Sequence, residues 1–206
     1  MEYILNELVT IKFLGTLVPA DSEMPSAILA IIARKPSSQR LELRVDDLIE
    51  TTIVDGDKGC IIRSNLEAEA SQMRDLEGIE LSRVIYSTRQ LFSFYKPDFR
   101  NGEQVRLEGV SKHRGQRAYK LAYRYPDGLE MIRYFSVVDD TLIATVTDNG
   151  VESVGVGSQR VGGIKFPEKI EYYESGRKLH TIMLNQIEVN RPLAAGIFEV
   201  PQGEVQ

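Results

Sequence analysis

The chain has no tryptophan, one cysteine and two histidines among its 206 residues. Cys60, standing alone, cannot form an internal disulfide, assigns no redox compartment and supports no zinc site. His113 lies in Ser111-Lys112-His113-Arg114-Gly115, which reads as an exposed hairpin tip. His180 lies in a strand with no cysteine, and no acidic residue two positions on, to complete a ligand set. Both histidines read as structural or surface residues, and neither a metal nor a cofactor is expected. No stretch approaches the roughly 18 apolar residues of a membrane span. Ala27 to Ala33 is apolar but short and ends in Arg34-Lys35, so it reads as a buried strand. The start lacks the charged-apolar-small order of a signal peptide, and Met1 to Leu8 reads as the tail of a longer amphipathic helix. A basic stripe is absent too: the net charge is −5 and the Lys and Arg residues are scattered, which argues against nucleic acid.

Catalytic signatures are equally scarce. No motif marks a nucleophilic serine, and Cys60 has no local nucleophile pattern. The carboxylates at Asp46-Asp47, Asp139-Asp140 and Glu168/Glu171/Glu174 read as solvated faces of an acidic protein. Val154-Gly155-Val156-Gly157 and Val161-Gly162-Gly163 are followed by strand, whereas a phosphate loop needs a helix start. They read as a bulged strand and a hairpin turn. No residue pattern makes a case for an enzyme, and none is expected.

What is present is turn chemistry. Asn101-Gly102, Arg114-Gly115, Asp127-Gly128, Asp139-Asp140, Asn149-Gly150, Gly162-Gly163 and Ser175-Gly176 recur every ~10–13 residues, leaving room for strands and little else. Tyr119, Leu121, Tyr123 and Tyr125 alternate with Lys120 and Arg124. Lys178 to Val189 is apolar on both faces, with Leu179, Thr181 and Met183 opposing Ile182 and Leu184, so it must be covered twice or line a cavity. The first half is a meander as well, with strands at Val9–Val18, Ile28–Ala33, Gln39–Val45, Leu48–Val54 and Cys60–Arg63. Residues 1–206 read as one domain.

The β rhythm stops between Glu67 and Phe94. From Ile79, Leu81, Val84, Ile85, Thr88, Leu91, Phe92 and Tyr95 recur at offsets of three and four, predicting an amphipathic helix to Phe94 that Pro97 stops. Glu80, Arg83, Arg89 and Gln90 are assigned to its outer face. A helix packed permanently on a sheet and a movable lid over an apolar cavity share this pattern.

Several stretches carry a family likeness. Arg34-Lys35-Pro36 leads into Arg40-Leu41-Glu42-Leu43, and Asp55-Gly56-Asp57-Lys58-Gly59 makes the next turn. Gly102 to Leu121 supplies a strand pair after the helix, and Gly128-Leu129-Glu130 through Tyr134-Phe135, with Leu142-Ile143, a further hairpin. Val161-Gly162-Gly163-Ile164-Lys165-Phe166-Pro167-Glu168-Lys169-Ile170 precedes Ile187-Glu188-Val189-Asn190 and Phe198-Glu199-Val200-Pro201-Gln202-Gly203. In this order they resemble the LolA/LolB-like family of periplasmic lipoprotein carriers and outer-membrane lipoprotein-sorting proteins. The resemblance implies a mainly β fold: a single curved antiparallel sheet forming an unclosed half-barrel of about eleven strands, with helices covering its concave face.

It also implies non-enzymatic binding and transport of a lipid or lipoprotein acyl moiety in the periplasm or cell envelope. The partners would be that cargo and envelope donor and acceptor proteins, with no nucleic acid and no transmembrane segment. The alternative is an envelope-sensing or protein-interaction module on the same sheet. Cavity residues would be Phe13, Ile31, Leu43, Ile53, Tyr123, Phe135 and Met183, with Val84, Ile85, Leu91 and Phe92 on the lid. Two departures stand out. Cys60 takes a position where relatives often carry tryptophan. The lid-holding arginine before the proline is replaced by Lys35 beside Arg34, both lid-holding candidates, and lysine cannot repeat a planar bidentate contact.

Overall fold

The computed structural model describes residues 7–93 and 95–201. Met1 to Asn6 of the expected N-terminal helix, the expected helix end at Phe94, and Gln202-Gly203 lie outside the described residues. The chain runs β1 (Thr10–Pro19), β2 (Ala27–Arg34), β3 (Ser38–Val45), β4 (Leu48–Asp55), β5 (Lys58–Asn65) and β6 (Ala70–Asp75). The helix α1 (Gly78–Ser93) and a 3-10 turn (Phe99–Asn101) follow. Then come β7 (Gln104–His113), β8 (Gln116–Arg124), β9 (Glu130–Ser136), β10 (Leu142–Val146) and β11 (Val151–Val156). A short hairpin, β12 (Gln159–Val161) and β13 (Ile164–Phe166), precedes β14 (Lys169–Glu174) and β15 (Arg177–Val189).

Thirteen strands form one antiparallel sheet in the order β6-β5-β4-β3-β2-β1-β15-β14-β11-β10-β9-β8-β7. It is two meanders, one per half of the chain, sewn together where β1 pairs with β15. The sheet curves without closing, so β6 and β7 remain as edges, and α1 is the connection between them. The count exceeds the expected eleven. One strand outside the expected set is β6, a polar edge strand in the stretch that shows no turn rhythm.

Pairing partners place their side chains on the same face of a sheet, so the register divides the residues into an inner, helix-side set and an outer set. Phe13 pairs with Ile31 on one side and Ile187 on the other. The register then slips between Leu14 and Gly15, so that Gly15 faces Leu184. This bulge inserts one extra residue into β15 and lets Leu184 and Ile187, three positions apart, join the same cluster. Gly15 is required there: a Cβ at this position would lie 2.1 Å from the Met183 carbonyl oxygen.

The outer face has its own cover. After β15 the segment 191–201 crosses it, lining one hollow with Thr10, Lys12, Ile32 and Glu188 and another with Asp57, Lys58 and Asp75. Phe198 is buried, with the Arg34 guanidinium 5.0 Å over its ring. His113, expected at an exposed hairpin tip, is instead folded onto this face. Its ring stacks on Tyr134 at 3.7 Å and its Nε2 lies 2.6 Å from Glu152 Oε1. Arg114 makes two further bonds to the same carboxylate, and chiefly this pairing holds Glu152 below the usual carboxylate range.

Candidate functional site

Two apolar clusters fill the inner face. The first joins Leu8, Ile11, Phe13, Ala33, Leu184 and Ile187 at the β1–β2–β15 seam with Phe92 of α1 and Phe166 of the β12–β13 hairpin. Phe166 meets Phe13 edge-on, with ring centroids 5.8 Å apart. The second joins Tyr86 of α1 to Tyr123, Tyr125, Leu129 and Met131. The Tyr86 and Tyr125 rings lie 4.1 Å apart. Both clusters thus depend on α1 for part of their burial.

Polar contacts tie the helix down as well. Arg74 and Glu80 form a two-bond pair, with contacts of 2.6 and 2.7 Å, that links it to β6. Arg83 reaches Asp148, in the turn between β10 and β11, at 2.5 Å. Thr88, fully buried, donates to Gln39 Oε1 at 3.1 Å. Gln90, assigned from sequence to the outer face, turns inward and donates to Tyr125 Oη at 2.7 Å. Leu81 sits against Gly59 of β5, whose lack of a side chain permits the approach.

Beneath the C-terminal half of α1 lies a cavity of about 240 Å³. Lys35, Arg89, Gln90, Lys96, Asp98, Glu103, Tyr86, Tyr123, Tyr125 and Arg133 line it. Arg133 is 2 % exposed, and its guanidinium lies 4.3 Å over the Tyr123 ring. Burial pushes the Tyr86 hydroxyl up to about 12 and raises Tyr123 and Tyr125 in the same direction. These phenols therefore stay protonated near neutrality and donate; Tyr123 donates to the Tyr95 carbonyl at 3.1 Å.

From Arg133 the register carries a polar row across the inner face. Arg133 pairs with Thr145, Thr145 with Ser153, Ser153 with Tyr172 and Tyr172 with His180. The Tyr172 and His180 rings stack at 4.5 Å, and burial lowers the proton affinity of His180. Among the described residues, no group of three His, Cys, Asp or Glu is placed to hold a metal ion. The inner face thus offers apolar surface interrupted by a buried cation and a line of hydrogen-bonding groups.

No protein-family model matches the chain, and no curated protein matches it in sequence. Solved structures do. A DUF1329 family protein from Desulfovibrio piger superposes with a TM-score of 0.62 at 9% identity, over 95% of this chain and 91% of that one. A putative outer membrane lipoprotein-sorting protein domain from Vibrio parahaemolyticus gives 0.61 at 5% identity, over 93% and 89%. A LolA superfamily protein from Nitrosomonas europaea gives 0.60 at 9% identity, over 96% of each chain. The fold is LolA-like.

In this LolA-like sheet Phe13 belongs to the first cluster, with Ile31 and Leu91 packed against it and Phe92 inside it. Tyr123 belongs to the second, with Phe135 packed against it. Leu43 pairs with Leu29 and so lies on the inner face. Val84 and Ile85 are half-buried on α1. Two expected cavity residues face the other way. Ile53 pairs with Arg40 and Cys60 on the outer face, where it is 2 % exposed; strand β4 is apolar on both faces, and alternation alone does not say which set is inner. Met183 pairs with Thr16 and is 38 % exposed, while its neighbours Ile182 and Leu184 turn inward. The two lid-holding candidates also part: Lys35 Nζ lies 5.7 Å over the Phe92 ring, whereas Arg34 faces Phe198, Ser38 and Asp55. Arg133 escaped the sequence reading, although Met131, Arg133 and Phe135 alternate onto one face in plain view.

Proposed function

We propose that this chain, as one unit, binds and carries a lipid or lipoprotein acyl moiety in the bacterial cell envelope, with α1 as the cover of the binding surface. One observation carries the reading: the apolar inner face of the sheet is closed by a helix that adds polar ties to its apolar contacts. Each methylene kept from water contributes ~0.8 kcal/mol, so an acyl chain gains roughly 10 kcal/mol by leaving solvent. The cavity under the helix is smaller than the roughly 300–1,000 Å³ that encloses a drug-sized ligand. The clusters occupy the space an acyl chain would need, so entry requires α1 to lift and expose them. Polar ties suit that motion because water replaces them at little cost. The architecture shared with a LolA superfamily protein and a lipoprotein-sorting domain supports the same reading.

The test is native mass spectrometry of the purified protein with lipid extraction, joined to a fluorescent fatty-acid titration. A stoichiometric acyl adduct or saturable probe binding is expected. Leu91→Asp, which places a charge in the first cluster, should abolish probe binding in a folded protein. Retained binding there would remove α1 from the site.

One feature favours a second reading, an interaction module. The edge strand β7 exposes Leu107 and Val110, at 59 % and 49 %, beside a backbone edge that a partner strand could extend. A clean apo mass with no probe binding, together with a co-purifying protein, would select it.

A further inference from the structure

The cavity under α1 is poorly suited to an acyl tail. Its walls carry four cationic side chains, Lys35, Arg89, Lys96 and Arg133, against two carboxylates, Asp98 and Glu103. Both carboxylates already accept hydrogen bonds within the wall. Glu103 accepts from the Asp98 amide at 2.8 Å and faces Arg89 at 3.8 Å. Asp98 accepts from the Asn101 side chain at 2.6 Å. The interior is therefore net positive, and its deepest charge, Arg133, is withdrawn almost completely from water.

A guanidinium in such a place is expensive. Desolvation of a charge costs several kcal/mol even after relaxation, and the ring of Tyr123 together with the hydroxyls of Tyr123 and Tyr125 offsets part of it. A packed core would do better with an apolar residue at the same position. Strand β9 would still alternate, since Met131 and Phe135 already supply the inner face on either side. An inward cation beside a water-sized space is instead what recognition of an anion needs, and the planar fork of arginine matches both carboxylate and phosphate.

We propose that this cavity is an anion subsite, built on Arg133, that takes the carboxylate or phosphate head of an amphiphile whose tail lies along the inner face. It rests on the carrier reading and narrows it: the preferred cargo is an acidic lipid, not a neutral one. The head enters under the C-terminal half of α1 between Lys35 and Lys96, and the tail displaces side chains of the two apolar clusters.

The experiment compares a fluorescent fatty acid with the methyl ester of the same molecule on wild type, Arg133→Met and Arg133→Lys, with inorganic phosphate as competitor. Wild type should bind the acid at least about tenfold more tightly than the ester, the scale of one charge-assisted hydrogen bond. Arg133→Met should erase that preference while leaving ester binding in place, and Arg133→Lys should restore part of it. Equal binding of acid and ester by wild type overturns the subsite yet leaves the carrier reading standing, and needs no variant to fold. Displacement of the acid by inorganic phosphate at equal concentration overturns the lipid-head assignment in favour of a small free anion. Failure of acid and ester alike overturns both readings together.

Discussion

Glu171 shows how strongly a partner from a neighbouring strand can change a residue's role. Lys178 donates to its carboxylate at 2.9 Å, Tyr173 at 2.7 Å, and Lys169 stands at 3.1 Å. These bonds, Lys178 first, pull its proton affinity down to about 2. The unfolded carboxyl titrates near ~4.3, so between these values the unfolded chain binds the extra proton. The stability Glu171 contributes is complete above that upper value and is lost as the pH falls toward the lower one. Thermal melts of wild type should therefore decline more steeply through this window than those of Glu171→Gln; parallel declines would show that the clamp contributes nothing. Sequence placed Glu171 on a solvated face beside Glu168 and Glu174. It could not see Lys178, because that contact depends on the register of two strands. Arg133 is the opposite case: alternation puts it on the face of Met131 and Phe135, but nothing in a single strand says that this face is the buried one.

At the scale of elements, α1 was the most legible part of the chain. Its predicted span from Ile79 differs from the observed Gly78–Ser93 by a residue at the start, since threefold and fourfold spacing specifies a helix without reference to the rest of the fold. Strand β6 was not legible, because a polar edge strand has no apolar alternation to announce it. The ties of the helix were hidden as well, for each joins residues distant in sequence: Arg83 with Asp148, Thr88 with Gln39, Gln90 with Tyr125. The Arg83–Asp148 pair is partly exposed, at 42 % and 19 %, so it stabilises by about 0.2–1 kcal/mol. In Arg83→Ala the amides of α1 should accordingly exchange about 1.4- to 5-fold faster by hydrogen-exchange mass spectrometry, with the sheet unchanged. Unaltered exchange in α1 would leave the helix held by its apolar face, as a fixed packing element instead of a lid.

For the whole molecule, the decisive arrangement is one sheet covered twice: by α1 and the β12–β13 hairpin inside, and by segment 191–201 outside. The meander and its turns were readable because turn chemistry is local, but the assignment of each strand's two apolar sets to inside or outside was not. Ile53 and Met183 were misassigned for this reason, the first by a strand apolar on both sides and the second beside a bulge that resets the alternation. The two covers also separate stability from binding. Ile53→Val removes one buried methylene on the outer face and should cost roughly 0.5–1.5 kcal/mol in urea unfolding without changing fatty-acid probe affinity. Ile187→Val, in the inner cluster, should cost a similar amount and also shift probe affinity, because the same surface receives the tail. With the backbone of the sheet between the two sites, the double variant should lose the sum of the single losses to within about 0.5 kcal/mol. If Ile53→Val weakened the probe in a fully folded protein, the outer face would belong to the binding unit, and the separation of the two faces would fail.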